Sequence, residues 1–321
     1  MKSVYSRFRK SVKDVTEYYL LLVDETRRER LVGSTNEWVL DNYYMISEQE
    51  KVLRIELQSR GFRRIPQQRL GVIEQMLQEY LLTCHHQIDK GLMFEHLSHW
   101  QSLKHDYLSY PEVCALLPLV KFILIRELAG LCRQLKAEGA CHYKPTDRAL
   151  SDAKHLDHVS QQNLTMMNLF NSLKKMTRLP MAELIDAVSF SEQMLKDERA
   201  GMYDQMCDKT KEDYRDRIVR LSRKRKMNEY DLVKELTARA DADGVHVGWQ
   251  LFPPKRWEAR ARWYVWIVSL ATLALSYLLA TVASSGSILR FSALDIILTL
   301  LMAVPVSQLV TELFNQLLFR V

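Results

Sequence analysis

Nine histidines and one closely spaced acid pair are the residues of this 321-residue chain that invite a chemical reading. His96 and His99 stand three apart, as do His155 and His158. On a helix each pair shares a face, the spacing at which two imidazoles reach one metal. Neither pair sits in an H-E-x-x-H pattern and no third ligand accompanies them, so solvated surface histidines are the expectation. His85 and His86 are adjacent and face two directions on a helix. Asp241-Ala242-Asp243 matches the D-x-D with which many glycosyltransferases hold a divalent metal on a nucleotide-sugar diphosphate. That use needs both carboxylates at a strand end, turned toward the metal. Here they close a helix in the polar stretch TARADADG, and a solvated linker is the expected role. No Q-x-x-R-W, glycine-rich phosphate loop, G-x-S-x-G or Cys/His couple accompanies them. No catalytic residue and no metal ligand is therefore assigned.

The basic run RDRIVRLSRKRK, residues 215–226, sets seven cations against one acid. Such a run can meet nucleic acid or, beside a membrane, lipid. Ile218, Val219 and Leu221 interrupt it and predict an amphipathic helix with one packed face and one solvated face; nucleic acid is not expected as a partner. The formal charge of +6 sits wholly before residue 263, because Arg290, Asp295, Glu312 and Arg320 cancel beyond it. The five cysteines (Cys84, Cys114, Cys132, Cys141 and Cys207) are widely spaced and odd in number. They predict buried thiols in a reducing compartment.

The elements that must carry these residues are helices. Few glycines, few prolines and no alternating run leave little room for a sheet, and the expected class is all-α. Tyr5, Phe8, Val12, Val15, Tyr19 and Leu22 describe one apolar stripe. Gly33 is expected to end that helix and Ser34-Thr35-Asn36-Glu37 to open the next as a capping box. Gly61 and Pro66 mark a break, and Pro111 opens a helix ahead of CALLPLVKFILIRELAGLC. That stretch holds Lys121, Arg126 and Glu127 and reads as a central core helix. Pro180, Asp208 and Asn228 start further helices. The sum is an irregular cytoplasmic bundle of about eight helices over residues 1–255.

Residues 256–321 read as a transmembrane hairpin. WYVWIVSLATLALSYLLATVA, residues 263–283, runs 21 residues without a charge, the length of the hydrocarbon core at helical rise. Lys255, Arg256, Arg260 and Arg262 precede it and Trp263 stands at the interface, which places this end in the cytoplasm. The polar turn SSGS leads to a weaker span, 291–310, with Asp295 one turn in and Pro305 at its far end. Asp295 is expected at the headgroups. Two spans joined by so short a turn leave both chain ends cytoplasmic, and the N-terminus MKSVYSRFRK has no signal-peptide core.

A resemblance emerges between about Gln161 and Phe252. Gln161-Gln162-Asn163, Asn168 and Ser172-Leu173 are similar to N-Q-x-S-x-x-N-x-I-T-S-L-R of the cyclic β-1,2-glucan synthases. Ser189 to Leu195, with Glu192 and Gln193, resembles S-L-V-E-Q-x-L; Gly201-Met202-Tyr203 resembles the end of D-P-A-G-x-Y. Met206, Asp208, Thr210 and Tyr214-Arg215 resemble M-D-x-x-T-R-D-x-Y-R, and His246-Val247-Gly248-Trp249 stands where that family has H-V-G-Y-Y. Upstream, Glu37-Trp38 and Leu40-Asp41-Asn42-Tyr43 look like E-W-L-L-D-N-F, while Pro118-Leu119 and Arg126-Glu127-Leu128 fit A-L-P-x-x-L-R-L-A-L-I-E-N-L. The pieces run in order over residues 30–255. Thr165-Met166-Met167 and Lys174-Lys175 depart from the pattern.

The resemblance implies the non-catalytic N-terminal region of a large bacterial inner-membrane protein. In that family a helical cytoplasmic part and membrane helices precede a glucosyltransferase domain that uses UDP-glucose, with a divalent metal expected there. No cofactor falls in this chain, because the transferase positions do not exist in it. The expected role is a membrane-anchoring and assembly module whose motif residues serve packing or an interface. Its expected partners are the lipid bilayer and a glycosyltransferase domain in cis or in trans, with β-1,2-glucan as a candidate ligand. The alternative is a stand-alone inner-membrane adaptor or sensor that binds a protein partner. The apolar ending FNQLLFRV, without a polar tail, reads as a truncated product.

Overall fold

The computed structural model describes residues 3–29, 33–139, 153–199, 201–252, 255–284 and 293–319. Among them are fourteen α-helices and no strand: α1 (Val4–Arg27), α2 (Ser34–Glu56), α3 (Arg60–Arg63), α4 (Gln67–Thr83), α5 (Lys90–Lys104), α6 (Tyr110–Ala137), α7 (Ala153–Arg178), α8 (Met181–Val188), α9 (Phe190–Lys196), α10 (Asp208–Arg225), α11 (Glu229–Asp243), α12 (Val247–Leu251), α13 (Lys255–Ser284) and α14 (Ala293–Phe319). Of the twelve helices before α13, eight run fifteen residues or more. The other four, α3, α8, α9 and α12, are one- or two-turn pieces too short to show periodicity in sequence. The chain divides into two compact units, Met1–Val247 and Gly248–Val321.

Helix α6 organises the first unit. Every residue from Ala115 to Ile125 is buried, so this helix has no solvated face over three turns. It packs against α1, α2, α3, α4, α7 and α8. Its start is fixed locally: Pro111 occupies the first turn, where a missing N–H costs nothing, and Glu112 accepts the Ser109 N–H at 2.8 Å. Lys121 is 5 % exposed in the middle of α6, and burial holds its ammonium below the usual lysine range. Glu56 is its countercharge; burial raises that carboxyl and Lys121 partly offsets the rise.

The α1 stripe packs on α6 with one change of register. Val4, Phe8, Val12, Val15 and Leu22 are buried, and Tyr18 takes the deep position while Tyr5 and Tyr19 pack only partly against the core. Tyr18 Oη reaches Asn36 Oδ1 at 2.6 Å. Helix α1 ends at Arg27, so Gly33 does not close it. Gly33 is instead the N-cap of α2, its carbonyl accepting the Asn36 and Glu37 amides at 2.9 and 3.2 Å. Ser34 is thus already helical, and the expected Ser34–Glu37 capping box does not form, because the helix starts one residue earlier. Pro66, Pro180 and Asn228 stand as N-caps of α4, α8 and α11, and Asp208 is the first residue of α10.

In the second unit α13 and α14 pack against each other. Arg262–Leu279 is the one described window long and apolar enough to cross a membrane, with mean hydropathy 1.4 and 11 % of it buried. The apolar stretch of α14 within the described residues, Thr299–Glu312, is shorter. Residues 285–287 of the SSGS turn and Phe291 lie outside the described residues, as does Cys141; so do the side chains of Asp295, His155 and His158.

Candidate functional site

Residues 192–247 bring five of the motif residues, Glu192, Tyr203, Tyr214, Arg215 and His246, into one buried network together with Glu198. Helix α9 begins where Ser189 Oγ accepts the Glu192 N–H, which turns Glu192 inward. Helix α10 presents Tyr214 and Arg215 opposite it. Arg215 grips the Glu192 carboxylate with two hydrogen bonds, Nε to Oε2 at 2.9 Å and Nη2 to Oε1 at 2.6 Å. Tyr203, fully buried, donates to the same carboxylate at 3.1 Å. The Arg215 guanidinium also lies 5.6 Å over the Tyr110 ring. Burial alone would lower the Arg215 pKa; the bonds and charge of Glu192 outweigh it and hold the guanidinium above its ordinary value. Burial, then the charge of Glu192, pushes the Tyr203 phenol up, so it stays protonated and donating.

A second chain adjoins the first through the Tyr203 and Tyr214 rings, whose centroids lie 5.7 Å apart. Tyr214 Oη and His246 Nε2 are 3.0 Å apart, and His246 Nδ1 faces Glu198 Oε1 in a close contact. The Nδ1 contact has ion-pair distance without hydrogen-bond alignment, and the Tyr214 hydroxyl and Nε2 share a hydrogen bond whose direction follows the His246 tautomer. Glu198 Oε2 accepts the Val247 N–H at 3.2 Å. The connectivity is carboxylate, imidazole, hydroxyl, as in a hydrolytic triad. The hydroxyl, however, is a buried phenol whose pKa burial and then Glu198 raise. A nucleophile needs the opposite shift and an approach path. The network is built as a fastener. It ties α9, the following loop and the 246–247 turn to α10.

The remaining motif residues fall in separate places. Gln193 Nε2 donates to the Ala187 carbonyl at 3.0 Å, and Gly201 turns the loop with φ +60°, where a side chain would be strained. Gly248 lies in α12, its carbonyl accepting the Phe252 N–H. On α7, Asn168 donates to the His85 carbonyl at 3.1 Å; Ser172 donates to the His86 carbonyl at 2.5 Å and accepts the Ile88 N–H at 2.9 Å. These two residues satisfy the left-handed turn at His85 and His86, where φ is 47° and 61°. Gln162 donates to Glu138 at 3.0 Å and Asn163 to Ser34 Oγ at 3.4 Å. Asn42 bonds the Trp38 carbonyl within α2, Trp38 is half-buried and Asp41 is exposed. Glu127 accepts from Arg126, which also reaches Glu74, itself held by both terminal nitrogens of Arg7 at 2.7 Å.

Three expectations need correction. His96 is half-buried and burial lowers its pKa, so it is not a simple surface histidine, while His85 and His86 lie in the turn after α4 ends at Thr83 and not on a helix. His96 packs on the Tyr80 ring. Of the four described thiols Cys132 is buried, Cys84 and Cys114 are intermediate, and Cys207 is exposed as the N-cap of α10. In the basic run Arg215 belongs to the buried network; Ile218 and Val219 form the packed face and Leu221 only its edge. Asp241 and Asp243 are exposed at the end of α11, ahead of Gly244 in the left-handed region.

Sequence reasoning missed one feature altogether, a cleft of about 340 Å³ at the N-terminus of α6. Arg69 on α4 bridges Asp106 and Glu112, the latter through Nε at 2.6 Å. Glu229, the first residue of α11, accepts the Tyr110 N–H at 2.7 Å. Burial, with the Glu112 charge adding to it, pushes Glu229 up to about 7. Tyr107 stacks on Tyr230 at 3.8 Å beside it. Both carboxylates sit where a helix N-terminus favours negative charge. The pairing of Tyr110 with Glu229 spans 119 residues, and no local pattern announces it.

Of the cations expected at the membrane interface, Lys255, Arg256 and Arg260 lie in the first two turns of α13, with side chains outside the described residues. Arg262 and Trp263 are exposed, Trp263 by 72 %. No group of three or more candidate metal ligands occurs among the described residues. Compared with known proteins, the chain matches no family model and no curated protein sequence.

Proposed function

We propose that this chain is the membrane-anchoring and assembly module of a cyclic β-1,2-glucan synthase-like glucosyltransferase, with catalysis from UDP-glucose carried by a domain outside it. The observation that supports this reading most is the Glu192–Arg215–Tyr203 and Tyr214–His246–Glu198 network. Five of the residues that carry the resemblance, Glu192, Tyr203, Tyr214, Arg215 and His246, meet in this buried fastener, the use a packing module has for them. The fastener ends at Val247, eight residues before α13 begins.

In this reading α13 and α14 form a transmembrane hairpin in the bacterial inner membrane. The eight residues 285–292 that join them reach at most ~28 Å, less than the ~45 Å length of a 30-residue helix. Two helices that pack on each other across so short a link run antiparallel, and both chain ends then lie on one side. The positive-inside rule makes that side the cytoplasm.

The test is co-purification. The chain, tagged at its N-terminus in its own cells, is solubilised with its membranes and assayed for glucose transfer from UDP-glucose into β-1,2-linked product. Activity is expected to travel with the tag, while residues 1–321 alone show none. Turnover by 1–321 unaided, or a tagged chain that purifies without any glucosyltransferase, sinks the reading; the second result favours the stand-alone adaptor.

A further inference from the structure

Arg262, Trp263, Trp266, Ile267 and Leu270 line a groove of about 600 Å³ along α13. Their spacing places them on one helix face over two turns. Trp263 is 72 % exposed, Trp266 71 % and Leu270 70 %. Arg262, at the polar end of the stripe, is exposed and makes no ion pair among the described residues. The stripe therefore calls for a partner that is apolar along most of its length and anionic at one end. Lys255, Arg256 and Arg260 precede it in sequence against Glu258 alone.

We propose that this groove holds one anionic phospholipid, its phosphate on the Arg262 guanidinium, its ester region against Trp263 and Trp266, and an acyl chain along Ile267 and Leu270. The proposal rests on the membrane-anchoring reading above and names the lipid class that reading leaves open. A zwitterionic headgroup would bring an ammonium beside Arg262 and the cations before it; an anionic one meets only attraction. A partner helix fits less well. Membrane helices meet through small residues; none of the five residues lining this groove is small, and Thr272 and Ser276 further along α13 are already buried. A tryptophan ring with one wet edge suits the ester region of a bilayer.

The full chain, returned to nanodiscs of equal phosphatidylcholine and phosphatidylglycerol, is gently delipidated and weighed by native mass spectrometry. Retained phosphatidylglycerol is expected to exceed phosphatidylcholine by ~5-fold, the effect of one basic residue near the surface. Arg262→Gln should bring the two to parity and Arg262→Lys should keep the preference. Trp266→Ala, which leaves every charge in place, should also lose it. Equal retention of both lipids by the wild type, with normal entry into the discs, overturns the lipid site and leaves the anchor standing. A preference that survives both Arg262→Gln and Trp266→Ala overturns it as well. Failure to enter discs of either lipid overturns the anchor and the site together.

Discussion

Two long helices, α6 and α13, carry comparable runs of Leu, Ile, Val and Ala, yet their surroundings are opposite. Along α6 every side chain from Ala115 to Ile125 is enclosed by neighbouring helices. Along α13, 11 % of Arg262–Leu279 is buried, and the buried positions include the small polar residues Thr272 and Ser276. Thr272 returns its hydroxyl to the Val268 carbonyl at 2.7 Å, satisfying it inside the helix. An apolar run thus states only that water must be excluded. Around α6 protein excludes it; along α13 the described residues bury only 11 % of the window. Charges within the run mark the difference. Helix α6 tolerates Lys121, Arg126 and Glu127 because partners such as Glu56 and Glu74 come to them; the window of α13 holds no charge after Arg262.

The largest effect expected is on the fastener in the first unit. Arg215→Ala leaves Glu192 buried and uncompensated and should cost about 3–5 kcal/mol, seen as a lower melting temperature of the full chain in detergent. Replacing Glu192 by Met as well should recover much of that loss. An Arg215→Ala chain that also fails to enter bilayers would break the comparison, since α13 should insert regardless.

Next comes a matched pair in the two apolar helices. Leu124→Ala in α6, at 1 % exposed, should cost about 2–4 kcal/mol through lost burial and a cavity. Leu270→Ala in α13, at 70 % exposed, should leave the same melt unchanged within about 0.5 kcal/mol. Equal losses at both sites would mean that α13 is covered by protein after all.

A pH dependence of up to about 3 kcal/mol is expected at the α6 N-terminus. The folded pKa of Glu229, about 7, lies above its ordinary 4.5. Its contribution is therefore full below pH 4.5 and lost as pH rises through 7. Glu229→Gln, which keeps an acceptor for the Tyr110 N–H, should remove that fall between pH 5 and 8. If the wild type and Glu229→Gln lose stability equally over this range, the carboxyl is not the group responsible. The smallest effect expected is at the α13–α14 contact. Ser276→Leu should overpack a fully buried site by about 1–3 kcal/mol and lengthen a spin-label distance between the two helices.

Much of the helical plan was legible because its signals are local. Pro66, Pro180 and Asn228 mark starts through their own backbone and side-chain chemistry, within one turn. Gly33 misled because glycine serves both helix ends, and only the observed end of α1 at Arg27 decides between them. Tyr18 and Tyr19 could not be told apart, since both lie near the centre of the stripe and packing against α2 and α6 chose Tyr18. The short helix α9 escaped for want of a full period.

What the sequence by itself determined is the class of the fold, the core role of α6 and the apolar window of α13. Each follows from composition and spacing along a single segment. Only the tertiary structure decided that Glu192 meets Arg215 and Tyr203, that Glu198 and Tyr214 flank His246, and that Glu229 caps a helix 119 residues upstream. Those contacts depend on where separate helices come to rest, and a polar residue carries no periodic mark naming the partner that will neutralise it.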